Sequence, residues 1–228
     1  MHEPYLAALQ ARADPTRSVD MRKYHKIDRV YLGLTNPQIN DLTKTWRQET
    51  DAPTRVAIAD GLWQTDIYEA RLAAAKLLTQ ARIRPDDSAA WDLIASWTPD
   101  FDSWAIADHA CMAGAKRLMA DPSRLDAVAH WVASDHLWTR RAALVSTLPW
   151  TKQNHPKPQE RADRDRILGW AAELVADHQW FIQKAIGWWL RELSKHDAGR
   201  TTAFIDAHGA AMKPFAVKEA LRHLKKSA

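Results

Sequence analysis

The chain of 228 residues contains one cysteine, Cys111, and only 7 glycines. A single cysteine excludes an internal disulfide and a zinc site built from cysteines. Alanine, leucine, arginine, lysine and aspartate dominate instead, and that composition favours helix throughout.

Long apolar runs are also missing. No stretch of about 18 apolar residues is present, which excludes a membrane-spanning helix. The first residues, Met1-His2-Glu3-Pro4, lack the basic and apolar regions of a signal peptide, so we expect a cytoplasmic protein. With 46% hydrophobic and 26% charged residues, the chain can bury a sizeable core as one large domain or one repeat array.

The charge is distributed unevenly. Residues 1–135 carry 16 Lys and Arg against 19 Asp and Glu, whereas residues 136–228 carry 16 against 9. A basic half beside a mildly acidic half fits a polyanionic partner such as nucleic acid. An uneven but merely solvated surface accounts for the same distribution equally well.

The periodicity along the chain predicts a succession of helices joined by short turns that carry Pro, Asp, Asn or Thr. Besides the segments that carry Trp104 and Trp138, the predicted helices cover 36–46, 51–63, 70–78, 91–97, 125–133, 164–176, 180–195 and 215–226. Helices in pairs predict an all-α fold, a curved α-solenoid of HEAT-like antiparallel helix pairs over residues 1–228 as a single domain. A compact irregular helical bundle is the alternative, and the proline-rich stretch near 148–160 is predicted to be a surface loop.

Tryptophan is abundant, with 12 residues, and several lie at helical spacing from a charge. We expect about eight of them to be core residues. Three pairs place an aromatic ring and a charge on one helix face because their members are three or four residues apart, namely Trp104 with Asp108, Trp138 with Arg141, and Lys184 with Trp188.

Asp108 lies inside a predicted helix for which Asp102 is a candidate N-cap. Aspartate is a mediocre former of helix interiors and needs a reason to be there. Either it pairs with Arg140 or Arg141 of the following helix, or its charge faces a cleft and acts on a substrate.

The segment 180–192 combines aromatic and basic residues. Ile186, Leu190 and Leu193 form its predicted buried stripe, whereas Lys184, Gly187, Trp188 and Arg191 share another face. Gly187 costs a helix about 1 kcal/mol relative to alanine, which close approach of another backbone or of a ligand would explain. The closing basic residues, including Lys218, Arg222, Lys225 and Lys226, form either a solvated helix or a phosphate clamp.

Several of these segments, in this order, resemble the AlkD-type DNA alkylation-repair glycosylases, which are built from HEAT-like repeats. The resemblance covers most of the chain and rests on the strings Met21-Arg22-Lys23-Tyr24, Tyr31-Leu32-Gly33-Leu34-Thr35-Asn36-Pro37, Glu69 through Leu77, Trp104-x-x-x-Asp108, Trp138-x-x-Arg141 and Lys184-Ala185-Ile186-Gly187-Trp188.

The resemblance implies excision of cationic N3- and N7-alkylated purines from double-stranded DNA, without base flipping and without a metal. It implies that Asp108 is the catalytic aspartate and that Trp104 and Trp188 lie beside the sugar of the lesion. Arg141 corresponds to the arginine near the active carboxylate and the DNA backbone, and Tyr24 to a tyrosine that faces DNA.

Further DNA-binding candidates are the aromatic and basic residues of the same segments and of the C-terminal helix, namely Trp138, Arg140, Lys184, Arg191, Lys218 and Arg222. We expect no cofactor and a monomer. The ten histidines show no ligand spacing, which disfavours a metal site. The rivals are a HEAT-type scaffold or structure-specific DNA-binding protein without catalysis and, more distantly, a metal-dependent nucleotide hydrolase.

Overall fold

The computed structural model describes residues 1–224, and every regular element in that range is helical. The predicted all-α, helical-repeat fold is therefore confirmed. One isolated parallel bridge joins Val30 to Ile67, and Tyr68 N donates to Val30 O at 2.9 Å. The predicted end of the last helix, with Lys225 and Lys226, lies outside the described residues.

The chain divides into two compact units, Met1–Ala120 and Asp121–Ala228. The single domain over residues 1–228 stays a prediction. The helices of the first unit are α1 (Glu3–Gln10), α2 (Pro15–His25), α3 (Asn36–Glu49), α4 (Ala52–Trp63), α5 (Tyr68–Leu77), α6 (Ser88–Ser96) and α7 (Trp104–Ala120).

The described part of the second unit is built in the same way. Its helices are α8 (Leu125–Val132), α9 (Leu137–Val145), α10 (Pro158–Glu173), α11 (Trp180–Ser194), α12 (Ala198–His208) and α13 (Pro214–Ala220). α9 packs against both α8 and α11, and α11 also packs against α12 and α13.

Polar side chains at the turns start the helices, as the sequence predicts. Thr35 and Gln38 form a reciprocal capping box at the start of α3, and Asp51 accepts a hydrogen bond from Thr54 N at 2.9 Å at the start of α4. Asp14 and Asp197 cap α2 and α12 in the same manner. These bonds satisfy backbone N–H groups that have no partner within the helix.

The stretch over 148–159 is more ordered than the predicted surface loop. Leu148–Lys152 forms a 3-10 helix in which Trp150 and Thr151 are buried, and α10 begins at Pro158 rather than at Arg164. The buried Arg164 explains the difference, because it donates to Trp150 O at 3.0 Å and to Gln153 O at 2.7 Å. The α10 arginine thus ties this stretch to its helix.

Most of the tryptophans build the cores of the two units. Trp63 and Trp97 stack at 4.2 Å between ring centroids in the first unit. In α11 of the second unit, Ile186, Leu190 and Leu193 are fully buried, as predicted. The buried tryptophans are Trp46, Trp63, Trp91, Trp97, Trp150, Trp170 and Trp189. The remaining five, which reach the surface, are Trp104, Trp131, Trp138, Trp180 and Trp188.

Candidate functional site

One side of α7 carries the predicted catalytic pair of the first unit. Trp104 and Asp108, four residues apart, are half-buried, and Met112 one turn further on is 57% exposed. A spacing of four residues keeps side chains on one helix face, so these three form a stripe that solvent can reach. The helix buries its other side through Ala105, Ile106, Ala107, Ala110 and Cys111.

The start of α7 differs from the prediction in its cap. Ser103 Oγ accepts a hydrogen bond from Ile106 N at 3.4 Å, the bond expected of an N-cap side chain. Asp102 instead accepts from Arg29 Nε at 2.5 Å, and Arg29 also pairs with Asp66 at 3.1 Å. Because Arg29 is buried, its charge needs these carboxylates, and Asp102 serves that ion pair rather than the helix end.

Aromatic rings surround Trp104. Tyr24, which is 69% exposed, lies edge-on to Trp104 with ring centroids 6.3 Å apart. His25 lies 5.9 Å from Trp104 and 4.6 Å from Tyr68, and Tyr68 stacks on Tyr31 at 5.1 Å. This aromatic cluster, defined as Tyr24, His25, Tyr31, Tyr68 and Trp104, links α2, the following loop, α5 and α7.

Burial shifts the titration of the inner members of the aromatic cluster. It lowers the pKa of His25, whose Nδ1 is buried and makes no hydrogen bond with the described residues. Burial, with Asp102 and Glu69 nearby, raises the pKa of Tyr31 to about 12, and burial also raises the pKa of Tyr68. At neutral pH the inner rings are therefore uncharged.

A buried glutamate holds the loop that carries Tyr31. Glu69, fully buried in α5, accepts backbone hydrogen bonds from Leu32 at 2.9 Å, from Gly33 at 2.7 Å and from Leu34 at 3.2 Å. Gly33 has φ +86°, and a Cβ there would lie 2.2 Å from Asp14 O, so only glycine fits. The loop segment that contains Gly33 and the α5 segment that contains Glu69 thus act together to position the aromatic cluster.

The contacts of His109, which follows Asp108 in the chain, indicate a structural role. Its Nδ1 lies 2.8 Å from Ala105 O and its Nε2 3.2 Å from Asn36 Oδ1, and burial lowers its pKa. A neutral ring that links α7 to the start of α3 accounts for this histidine.

In the second unit, α9 carries Trp138, Arg140 and Arg141. Arg141 is 3% exposed, donates to Phe181 O at 3.0 Å and lies 5.9 Å from the Phe181 ring centroid. Trp138 packs on the same ring at 4.6 Å. Arg140 donates to Ser134 O at 2.6 Å and pairs with Asp177 at 2.9 Å, so its guanidinium fastens α9 to the segment before α11.

A groove between α11 and α13 brings five of the predicted residues together. Its volume is about 1160 Å³, and Lys184, Trp188, Arg191, Lys218 and Arg222 are among its lining residues. Arg191 pairs with Glu192 at 2.9 Å and also with Glu219, which in turn pairs with Arg222. Lys184 lies over the ring of Trp180, 4.5 Å from its centroid, and lines the groove together with Trp188.

Gly187 in α11 is explained by backbone contact. A Cβ at this position would lie 3.0 Å from Ala216 O and 3.2 Å from Ala216 Cα. Of the two reasons considered for this glycine, approach of another backbone is therefore the one observed, and it lets α13 pack closely on α11.

Sequence reasoning missed five of the residues that line the groove, among them two aromatic residues and a glutamate. Trp180 and Phe215 line it, and Glu219 holds two of its arginines. A signal existed for Trp180, because it precedes Lys184 by four residues, the spacing of two of the three pairs that the sequence analysis singled out. Pairing of Glu219 with Arg191 across 28 residues leaves no local pattern.

Comparison with known proteins gives the family. Residues 5–224 match the family model described as DNA alkylation repair enzyme. The chain belongs to this family, which places it in the repair of alkylated DNA and makes DNA its partner. No curated protein matches the chain.

Solved structures share the fold at low sequence identity. A predicted DNA alkylation repair enzyme from Enterococcus faecalis is 20% identical, with 94% of this chain and 98% of that chain covered and a TM-score of 0.79. AlkD2 from Streptococcus mutans is 18% identical, with 99% and 100% covered and a TM-score of 0.68. The protein smu.31 from Streptococcus mutans UA159 is 18% identical, with 83% and 92% covered and a TM-score of 0.62.

Within residues 1–224, no group of three His, Cys, Asp or Glu side chains is placed to hold a metal ion. No helix in the same range is both long and apolar enough to cross a membrane.

Proposed function

We propose that the chain is a DNA glycosylase that hydrolyses the N-glycosidic bond of cationic N3- and N7-alkylated purines in double-stranded DNA. The observation that carries the proposal is the α7 stripe, in which Asp108 lies one turn from Trp104, whose ring contacts the exposed Tyr24, in a chain of a DNA alkylation repair family. The proposal includes action as a monomer in the cytoplasm, without a cofactor or a metal.

The chemistry needs few groups because the substrate is already charged. An alkylated purine leaves as a neutral base when the bond between its nitrogen and C1′ breaks and its electrons go to the purine. The sugar then develops oxocarbenium character, which a carboxylate such as Asp108 stabilises. A water oxygen bonds to C1′, and its proton passes to Asp108 or to solvent.

Aromatic rings can stabilise both cations of the reaction, the alkylated purine of the substrate and the oxocarbenium-like sugar. A ring attracts a cation by about 0.5–2 kcal/mol, depending on how far the site is desolvated. Trp104 and Tyr24 offer such surfaces near Asp108, and the inner rings of the aromatic cluster hold Trp104 in place. An uncharged nucleoside lacks the leaving group that this arrangement needs, so selectivity for cationic lesions follows.

The second unit supplies DNA contacts in this proposal. Lys184, Arg191, Lys218 and Arg222 would neutralise phosphates, which sets register without reading sequence. Trp188 and Arg141 keep the catalytic roles that the resemblance implies, and the proposal follows the family in not flipping the damaged base. Trp138 and Arg140 act through Phe181 and Asp177, which they contact, so we now assign them to positioning.

The experiment that tests this proposal is release of free base from duplex DNA treated with a methylating agent. We expect the purified protein to release 3-methyladenine or 7-methylguanine, at the same rate with and without a chelator. DNA binding without any release would favour the non-catalytic scaffold or DNA-binding protein. Release that a chelator stops would favour a metal-dependent hydrolase.

A further inference from the structure

The groove between α11 and α13 has features that phosphate contact alone does not require. Its floor and walls combine aromatic rings, cations and leucines, all from the second unit. The lining residues are Trp180, Lys184, Trp188, Arg191, Phe215, Lys218, Glu219, Leu221, Arg222 and Leu224.

Trp180 forms an exposed aromatic face in the lining of this groove. Its side chain is 48% exposed, whereas seven tryptophans of the chain are buried. Phe181 contacts it edge-on at 4.8 Å, and Phe215 lies 5.9 Å away with its ring tilted by 31°. A large apolar ring that neighbours hold in place while solvent reaches it is typical of a binding surface.

Cations border this aromatic face. Lys184 Nζ lies 4.5 Å from the Trp180 centroid, and Lys218 and Arg222, which line the same groove, are exposed. Among the described lining residues, four cations stand against one carboxylate, Glu219. The groove thus combines positive charge with apolar rings, which matches a ligand that has both a phosphate and a flat ring.

We propose that this groove binds an unstacked nucleotide of single-stranded DNA, with its base against Trp180 and Phe215 and its phosphate near Lys184, Lys218 and Arg222. Every base has a π-face, so such a site tolerates any sequence. Paired bases in a duplex are stacked on each other and cannot offer that face to a groove floor. The inference rests on the proposed function, which takes DNA as the partner and assigns Lys184, Lys218 and Arg222 to phosphates.

The test is binding of a fluorescent, undamaged single strand and of the same sequence as a duplex, measured by anisotropy. Trp180→Leu is expected to weaken single-strand binding roughly 5- to 150-fold, the measured range for loss of one stacked base, and duplex binding less than about twofold. Trp180→Phe, which keeps an aromatic face, is expected to recover most of the affinity.

Two variants that each remove one lysine charge test the proposed contact with the phosphate. Lys218→Gln is expected to weaken single-strand binding and to reduce the salt slope by about 0.7, whereas Lys152→Gln, an exposed cation of the same unit outside the groove, changes neither. Because the Lys218 and Lys152 variants each remove one positive charge, a difference in binding between them cannot come from the change in net charge.

Two results would overturn the inference: single-strand affinity unchanged in Trp180→Leu, or a loss that is equal for single strand and duplex. The first would leave the groove without a base-binding role, and the second would make it a general polyanion surface, as would equal competition by an acidic peptide. Because the DNA is undamaged, these outcomes are independent of base release, which is measured separately on methylated duplex.

Discussion

At the scale of single residues, the proposed site combines the carboxylate of Asp108 with the aromatic ring of Trp104. Asp108 and Trp104 share the accessible stripe of α7, and Tyr24 covers the edge of Trp104. A carboxylate and a π-face can both stabilise positive charge that develops on a sugar, and neither needs to transfer a proton to the leaving base.

Replacing Trp104 tests the aromatic part. Trp104→Leu is expected to slow release of 3-methyladenine roughly 2- to 30-fold, the range expected for one lost cation–π contact. Trp104→Phe should retain most of the rate because it keeps a ring. If the leucine variant releases base as fast as the wild type while it remains folded, Trp104 has no part in the reaction.

His25 makes stability depend on pH. Burial lowers its pKa below the ordinary 6.5, so the unfolded chain binds a proton more readily than the folded chain. Stability is then retained above that ordinary value and lost as the pH falls below it. His109, whose pKa is also lowered by burial, acts in the same direction.

The urea midpoint measured at about pH 7.5 and at about pH 5.5 checks this prediction. We expect a lower midpoint at the acidic pH and a smaller difference in His25→Phe, which cannot take up a proton among Tyr24, Tyr31, Tyr68 and Trp104. An equal difference in wild type and variant would show that His25 does not contribute.

The role of a residue could be predicted from the sequence where a local pattern indicates it. It could not be predicted where the role depends on a partner that is distant in sequence. The spacing of Trp104 and Asp108 predicts a shared helix face, and α7 shows that face. Asp102 reads locally as a helix cap, yet it pairs with Arg29, 73 residues away. Such an ion pair depends on the tertiary fold, and helix periodicity holds no trace of it.

At the scale of helices, two glycines in helix interiors form a matched pair. Gly187→Ala is expected to lower the free energy of unfolding, because overpacking costs about 1–3 kcal/mol and the Ala216 backbone cannot move aside freely. The gain of about 1 kcal/mol in helix propensity does not offset that cost.

Gly169→Ala, in α10, is the control. A Cβ there meets nothing within 4 Å, so we expect only the propensity gain, about 0.5–1 kcal/mol of added stability. Urea unfolding measures both variants. Stabilisation by both changes would contradict the account of α11 and α13 packing.

Glu219 restrains the charge of the groove. It pairs with Arg191 from α11 and with Arg222 just beyond α13, so two cations that could meet phosphates are held by a carboxylate. Glu219→Gln should free Arg222, while Arg191 keeps its pair with Glu192, and should raise DNA affinity roughly 2- to 5-fold at low salt, since a pair near the surface is worth up to about 1 kcal/mol.

The same variant should also steepen the dependence of duplex affinity on salt, by about 0.9 for each new phosphate contact. Glu173→Gln, an exposed carboxylate of the same unit, makes the same change in net charge and should have a smaller effect on both quantities. Equal effects of the two variants would show that Glu219 acts through net charge alone.

Helix existence could be predicted better than helix boundaries. Proline and aspartate at the turns marked the starts of α3 and α4, because capping is local chemistry. The sequence pattern predicts the start of α10 six residues too late, because the prolines in 149–158 are typical of a loop. The contacts of Arg164 that order this stretch leave no pattern in the sequence.

At the scale of the whole molecule, the charge bias of the sequence follows the division into units. Residues 1–120 carry 15 Lys and Arg against 16 Asp and Glu, and residues 121–228 carry 17 against 12. Asp108, the proposed catalytic residue, therefore lies in a nearly neutral unit, and the proposed phosphate contacts lie in a basic one. The chain belongs to a DNA alkylation repair family over residues 5–224, which spans both units.

The most direct test of the central claim is the rate of base release from methylated duplex DNA by Asp108→Asn, with Asp92→Asn, an exposed aspartate of the same unit, as control. The asparagine at 108 keeps the size of the side chain and removes its charge. We predict a loss of roughly 10²- to 10⁴-fold in Asp108→Asn, none in Asp92→Asn, and unchanged binding of undamaged DNA by both. Release by Asp108→Asn at the wild-type rate would contradict the account.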